Sequence, residues 1–366
     1  MRVLLAPDKF RGTFTAAEVC DHIARGIISV APDTMIMPLP LADGGEGTLD
    51  VLLGAFGGTR HSLRVAGPLG DEITAEYGVT LDGVAILESA RICGLDLISP
   101  ALRDPMRATT YGLGQAIASL LDLGVARFLI GLGGTATVDG GIGLARALGF
   151  RFPGPDSVDD SLAHTGLTTA RFTILCDVDT PVAGPQGAAR VFGPQKGATT
   201  MQVLLLEERL AALVQGLAAW KGESSEALSI LPMGGAAGGL GLGCRLFLGG
   251  RLVPGAVFIM ETLGFSGKLA ETDMLVTGEG SFDSQSRAGK AAWLAVELAG
   301  AAGKPTAVVA GRWDGTLPRA RPDAFRVFAG ESMTNAAGVQ DAGGVATLAA
   351  AAIRWGLLLS EPPKGT

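Results

Sequence analysis

Short apolar runs alternate with amphipathic stretches along most of the chain. VLLAP at residues 3–7 reads as a buried strand. Thr15-Ala-Ala-Glu18 is a capping box that opens a helix with Val19, Ile23 and Ile27 on one face. TMIMPLPLAD is the next extended run, and EGTLDVLLGAF reads as a helix after it. Between His61 and Leu97 the period changes: LRVAGPLGDEITAEYGVTLDGVAILE predicts short strands joined by Gly-Asp and Asp-Gly turns, an antiparallel interlude. The alternation resumes with a helix in TYGLGQAIASLLDLG, a strand in RFLIGL and a helix in IGLARALG closed by Gly149. FTILCDVD is extended and MQVLLLEERLAALVQGLAAW is helical, followed by the glycine-rich run AAGGLGLGCRLFL. DMLVTG and TAVVAG then predict strands around the helix KAAWLAVELAGAAG, and a last helix runs near 345–358.

This order of elements predicts an α/β protein with a largely parallel sheet. At 366 residues the chain exceeds one ordinary core, so two domains are expected. The antiparallel interlude suggests that one is inserted into the other. Residues 1–60 and 255–366 would form a discontinuous Rossmann-like domain, and 61–254 a second α/β domain with a mixed sheet.

Composition narrows the function. The formal net charge of −7 removes any electrostatic reason to expect nucleic acid or an anionic membrane as partner. No apolar stretch reaches about 18 residues, and Asp8 and Lys9 follow the first apolar run too soon for a signal peptide. Cys20, Cys93, Cys176 and Cys244 lie far apart with no C-x-x-C, so neither a zinc site nor a disulfide framework is suggested and a cytoplasmic protein is expected. Glycine is abundant, 55 of 366, and clusters in ADGGEGT (42–48), GLGGTATVDGGIG (131–143), PMGGAAGGLGLG (232–243) and TGEGSFD (277–283). Four such clusters in an otherwise normally patterned chain predict tight, backbone-exposing loops around a site.

Two phosphate-binding patterns can be tested. GLGGTA (131–136) follows a predicted strand, precedes a helix and fits the relaxed dinucleotide fingerprint, which makes an NAD-dependent dehydrogenase of a small hydroxy acid the competing reading. The acid that should hold the ribose falls at Asp156, Asp159 or Asp160, in a Pro-Gly loop rather than at a strand end. TGEGSFDSQSRAGKAA looks like a P-loop but is not one: Ser284 stands where the first glycine belongs and Ala291 where Ser or Thr should hold magnesium. Asp8, Asp43 with Glu46, Asp139, Asp177 with Asp179, and Asp283 all lie at or just beyond predicted strand ends, where open α/β sheets place ligands. Lys9, Arg11, Lys196, Arg287 and Lys290 sit in glycine-flanked loops beside them, the pattern of phosphoryl transfer. Three histidines without a nearby nucleophile make a hydrolase triad a poor fit.

The runs APDKFRGTFTAAE, LADGGEGT, GLGGTATVDGGIGLARALG, CDVDTPVAGPQGAARVFGPQKGA, GGAAGGLGLG and TGEGSFDSQSRAGK resemble, in order, the signature blocks of the bacterial glycerate kinase family, glycerate 2-kinase branch, and span residues 6–290. The resemblance implies an ATP- and magnesium-dependent kinase of D-glycerate with two α/β domains facing each other across a cleft. The family's pattern often has Lys where Arg11 stands, Asn where Val138 and Thr180 stand, and a basic residue near Ser281. Together with the residue chemistry it implies Asp283 as the base, with Lys290 and Lys196 neutralising the transferred group. Asp177, Asp179 and Asp43 would hold magnesium. Asp8, Lys9, Arg11 and Arg287 would meet the substrate, and Gly133, Gly134, Thr135, Gly278 and Glu279 the nucleotide or a phosphate, with the substrate as the other candidate for Gly133, Gly134 and Thr135. The expected partner is the small-molecule substrate; a homo-oligomer is left open.

Overall fold

The computed structural model describes residues 1–154, 157–284, 286, 290–329 and 342–360. Its chain divides into two compact units, one made of Met1–Asp43 with Ala256–Thr366 and the other of Gly44–Gly255. The first unit opens with β1 (Arg2–Leu5), the helix Ala16–Val30 and β2 (Met35–Pro38). That helix begins at the expected capping box: Thr15 accepts from the Glu18 backbone N–H, and the Glu18 carboxylate accepts from Thr15.

The second unit contains β3 (Gly58–Ala66), β4 (Glu72–Thr80), β5 (Val84–Glu88) and β6 (Arg127–Gly131), then the small β7 (Arg151–Gly154) and β8 (Ser157–Asp159) hairpin, β9 (Arg171–Cys176) and β10 (Arg251–Pro254). Its main sheet runs β10-β9-β6-β5-β4-β3. β5, β6, β9 and β10 are parallel, while β3 and β4 pair antiparallel as the turn signals predict. Phe128 and Phe172 stack at 4.7 Å between neighbouring strands, inside a core completed by Leu113, Ile117, Leu144, Val214 and Leu240 from the covering helices. Residues 44–60, expected with the first segment, lie in this unit: the helix Thr48–Phe56 packs on β4 and β5, and Leu49 N–H donates to the buried Glu88 carboxylate.

The chain returns to the first unit at Ala256 with two short helices, Gly255–Thr262 and Phe265–Ala270, then β11 (Met274–Phe282), the helix Ala291–Ala301, β12 (Thr306–Trp313), β13 (Phe325–Ala329) and the helix Ala342–Ser360. The sheet order is β13-β12-β11-β1-β2, all parallel. Alternate residues of the buried strands serve opposite layers. Ala307 and Val309 face Val19, Ile23, Ile27, Val345 and Ile353, whereas Val308 and Ala310 face Trp293 and Val296.

Two glycine runs depart from expectation. TGEGSF, read as a loop, is the second half of β11; Gly278 is required because a Cβ there would sit 2.2 Å from the Val309 carbonyl oxygen on β12. The run at 236–248 is helical over Ala236–Phe247, with left-handed backbone at Ala237, Gly238 and Gly239 that bends its first turn. Among the described residues no helix is long and apolar enough to cross a membrane.

Candidate active site

In the first unit the order of connection reverses between β1 and β11, and ligands of open parallel sheets bind beyond the carboxyl ends of the strands at such a point. Asp8 and Lys9 follow β1 there, and Glu279 lies on β11. The pairing continues past the strand proper: Asp8 N–H donates to the Gly278 carbonyl at 2.8 Å. Lys9 Nζ lies 3.7 Å from Asp8 Oδ1 and 3.4 Å from Asp43 Oδ1. Lys290, the residue before the helix Ala291–Ala301, lies 3.2 Å from Glu279 Oε2. Three carboxylates and two ammonium groups therefore share one end of the sheet.

Burial sets the proton affinities of this group. Asp8 and Glu279 are each 4% exposed. Desolvation pushes Asp8 up to about 6 against the pull of Lys9. It pushes Glu279 up to about 7 against the pull of Lys290. Sequence reading placed Asp8 and Glu279 beside the ligands but missed that burial raises the proton affinity of both toward neutrality. The available signal was an acid directly after a fully apolar strand, in VLLAPD and LVTGE.

Asp283 stands just past β11. Its Oδ2 accepts from the Ser281 hydroxyl at 2.7 Å and its Oδ1 from the Ser286 backbone N–H at 3.3 Å, so the carboxylate is held in one orientation. Ser281 occupies a position where the family pattern suggests a cation; here it is a hydrogen-bond donor to the candidate base. Arg287 lies outside the described residues, and Arg11 is exposed.

In the second unit the segment after β6 carries Gly133, Gly134 and Thr135. The expectation that GLGGTA opens a helix is not met: the next helix begins at Ile142 and is six residues long. Gly133 N–H already points to the Ser89 hydroxyl at 3.3 Å, and a Cβ at Gly131 would lie 2.2 Å from the Gly44 carbonyl oxygen. These glycines serve close packing. Asp159 lies in the β7–β8 hairpin, paired with Arg151, rather than after a core strand; Asp156 is outside the described residues. The dinucleotide reading loses its helix and, among the described residues, an acid at the end of a core strand.

Thr135 has a different neighbour. Lys196, in the short turn Pro194–Lys196, is 3% exposed and donates to Thr135 Oγ1 at 3.2 Å and to the Thr137 carbonyl at 2.6 Å. Among the described residues no carboxylate lies within ion-pair distance of it, and burial lowers its pKa to about 8. The Thr137 hydroxyl beside it is buried without a hydrogen-bond partner among the described residues. A buried cation with two neutral oxygen acceptors and an unused hydroxyl is arranged to receive an anion. Thr137 is the residue that sequence reading passed over, although it was visible as the second hydroxyl in GGTAT.

Asp177 and Asp179 follow β9, the first half-buried and the second exposed; Asp43 belongs to the first unit. Among the described residues no three His, Cys, Asp or Glu side chains come together as a metal cage. Two strand-end carboxylates nonetheless suit magnesium, which keeps several waters and binds through one or two carboxylates plus substrate phosphates.

An open parallel sheet with buried acids and lysines at its switch point, and a second unit holding a buried lysine with no carboxylate at ion-pair distance among the described residues, suit an α/β enzyme that handles anions. The sequence pattern of the glycerate kinase family matches residues 3–353, and the chain belongs to that family. A glycerate kinase of Halalkalibacterium halodurans is 35% identical over 325 residues, 84% of this chain and 85% of the relative. The glycerate 2-kinase of Escherichia coli K12 is 33% identical over 331 residues, 85% of each. A crystal structure from Salmonella typhimurium LT2 that carries a glycerate kinase 2 designation superposes with a TM-score of 0.81 at 33% identity, covering 98% of both chains. The protein is thus an enzyme of the kinase class, and the dehydrogenase alternative is set aside.

Proposed function

We propose that the protein transfers the γ-phosphoryl group of ATP, carried with Mg2+, to the 2-hydroxyl of D-glycerate, giving 2-phosphoglycerate and ADP. The observation that carries the reading is Lys196, a buried ammonium without a carboxylate partner among the described residues, set between the Thr135 hydroxyl and the Thr137 carbonyl. The E. coli relative's name favours the 2-hydroxyl over the 3-hydroxyl.

The glycerate hydroxyl oxygen attacks the γ-phosphorus. An O–P bond forms as the bond to the β,γ-bridging oxygen breaks, ADP leaves with that electron pair, and the hydroxyl proton passes to Asp283. Lys290 and Lys196 supply positive charge to the transferring group. Lys9 and Arg11, with Asp8 beside them and Arg287 in support, receive the substrate; the planar fork of Arg11 suits its carboxylate. Glu279 positions Lys290 through their ion pair, and the segment Gly133, Gly134 and Thr135, with the Gly278 backbone on β11, would meet the phosphates. Asp177 and Asp179 would hold magnesium, which when bound offsets phosphate charge.

The test is ADP release from ATP and magnesium with D-glycerate, L-glycerate and glycolate, with phosphorus NMR of the product. The reading requires turnover with D-glycerate and a 2-phosphate resonance. A 3-phosphate product removes the regiochemistry, and the absence of turnover with D-glycerate removes the function.

A further inference from the structure

Within the second unit lies a cavity of about 870 Å³, lined in part by Val138, Asp139, Ile142 and Gly143, the end of the GLGGTATVDGGIG run just past the Thr137 carbonyl that accepts from Lys196. Three arginines line it: Arg107 from the loop before the helix Tyr111–Asp122, Arg146 from the helix Ile142–Ala147, and Arg209 from the helix Thr200–Lys221. None of the three has a carboxylate at ion-pair distance among the described residues. Arg146 lies over the Phe152 ring at 5.7 Å, and Arg209 donates to the Met106 carbonyl at 3.4 Å.

The one carboxylate in the lining, Asp139, is already engaged. Its Oδ1 accepts from Gly141 N–H, and its Oδ2 accepts from the backbone and hydroxyl of Thr110 and from Gly143 N–H. It therefore organises the loop and leaves the guanidinium charge unanswered. In a chain of net charge −7, three unpaired arginines around one cavity are a local reversal of sign. Apart from Thr109 and Tyr111 the remaining walls are largely apolar, with Val138, Ile142, Leu206, Leu210, Leu213 and the Phe152 ring.

A largely apolar compartment edged by guanidinium groups matches a ligand with a ring system at one end and a polyanion at the other. The volume falls in the range of pockets for molecules of cofactor size, about 300–1,000 Å³, and a three-carbon phosphoacid would leave most of it unfilled and its apolar walls wet. We propose that this cavity is a nucleotide site, with the base against the walls formed by the helices Ile142–Ala147 and Thr200–Lys221 and the phosphates toward Arg107, Arg146 and Arg209. That the nucleotide is an adenine nucleotide rests on the kinase reading above; the fit of ring and polyanion does not. Arginine suits the phosphates because its planar fork donates two parallel hydrogen bonds.

The experiment is calorimetric titration of ADP, and separately of 2- and 3-phosphoglycerate, into the full-length wild type, an Arg146→Glu/Arg209→Glu variant and an Ala212→Trp variant. Ala212 is an exposed residue of the lining, so the indole fills the cavity without disturbing the core. The expected result is an ADP Kd raised about 10- to 100-fold in both variants, with the ligand-free melting temperature of Ala212→Trp unchanged. Wild-type ADP affinity in Ala212→Trp would overturn the assignment even if the charge-reversal variant failed to fold. Loss of phosphoglycerate binding with ADP binding intact would overturn it in favour of a phosphoacid site. Wild-type turnover on D-glycerate is scored independently. An enzyme that phosphorylates glycerate but binds ADP normally in both variants removes this inference alone. A cavity that binds ADP in a protein inert toward glycerate removes the substrate reading alone.

Discussion

Lys290 Nζ lies 3.2 Å from Glu279 Oε2, a contact that joins the start of a helix to the strand beside the switch point of the first sheet. Glu279 is held near neutrality by burial acting against this ammonium. Lys290→Met removes the opposing charge, so the Glu279 titration should move above about 7, followed by carbon NMR of its carboxyl group. Turnover should fall roughly 100- to 1,000-fold, the range for losing one preorganised charge on a reacting oxyanion. An unmoved Glu279 titration would break the link between the two residues.

Glu279 and Asp8 also set how stability depends on pH. Both have folded-state values raised, from 4.5 to about 7 and from 3.8 to about 6. As pH climbs through that window the unfolded chain releases these protons first and the native state retains them, so stability falls with rising pH from about 4 to about 7. Glu279→Gln should flatten the part of the slope between 4.5 and 7 and raise the melting temperature at pH 8 relative to wild type. Thermal melts at pH 5 and pH 8 decide it: an undiminished slope in the variant means that Glu279 is not the source.

Much of the architecture could be read from periodicity because local and long-range demands agree there. Thr15 and Glu18 cap a helix whose Val19, Ile23 and Ile27 then meet the sheet. The Gly-Asp and Asp-Gly turns set β3, β4 and β5. The reading slipped where glycine answers to a distant backbone. Gly278 looks like a loop residue until the Val309 carbonyl is seen against it, and Gly131 looks like a phosphate turn until Gly44 is. The same effect hid the boundary after Asp43, since Gly44 and the following helix pack on strands that come later in the chain. For the candidate site, the acids and lysines were legible as types at strand ends. Their protonation was not, because burial is a property of the folded neighbourhood.

Gly278→Ala tests the packing explanation. Its Cβ would lie 2.2 Å from the Val309 carbonyl oxygen, which belongs to a strand and cannot swing aside. A loss of roughly 1–3 kcal/mol is expected from denaturant unfolding, the usual cost of overpacking a close-fitted interior. A flexible loop at this position would tolerate alanine, so an unchanged midpoint would contradict the strand assignment.

Asp283 is held by the Ser281 hydroxyl and the Ser286 N–H, an arrangement that orients a base rather than buries a charge. Asp283→Asn keeps the shape and removes the proton acceptor. Turnover should drop about 100- to 10,000-fold, the span attributed to general base catalysis, with ADP affinity within about twofold of wild type. Near wild-type turnover would transfer the role to another group at the strand ends.

Lys196 has the opposite sign to the acids. Burial lowers its value from 10.5 to about 8, so between pH 8 and 10.5 the unfolded chain retains a proton that the native chain releases, and stability contributed at this site rises with pH. Below pH 8 the cost of burying the ammonium is fully present. Lys196→Met should therefore raise the ligand-free melting temperature at pH 7, by a margin that shrinks toward pH 10. The same substitution should cost turnover 100-fold or more, on the order expected for a lost transition-state donor. Wild-type turnover should itself decline above about pH 8 as the ammonium is lost. A Lys196→Met enzyme that is both less stable at pH 7 and fully active would show that the lysine is a packing element, with its partners Thr135 and Thr137 merely satisfying it.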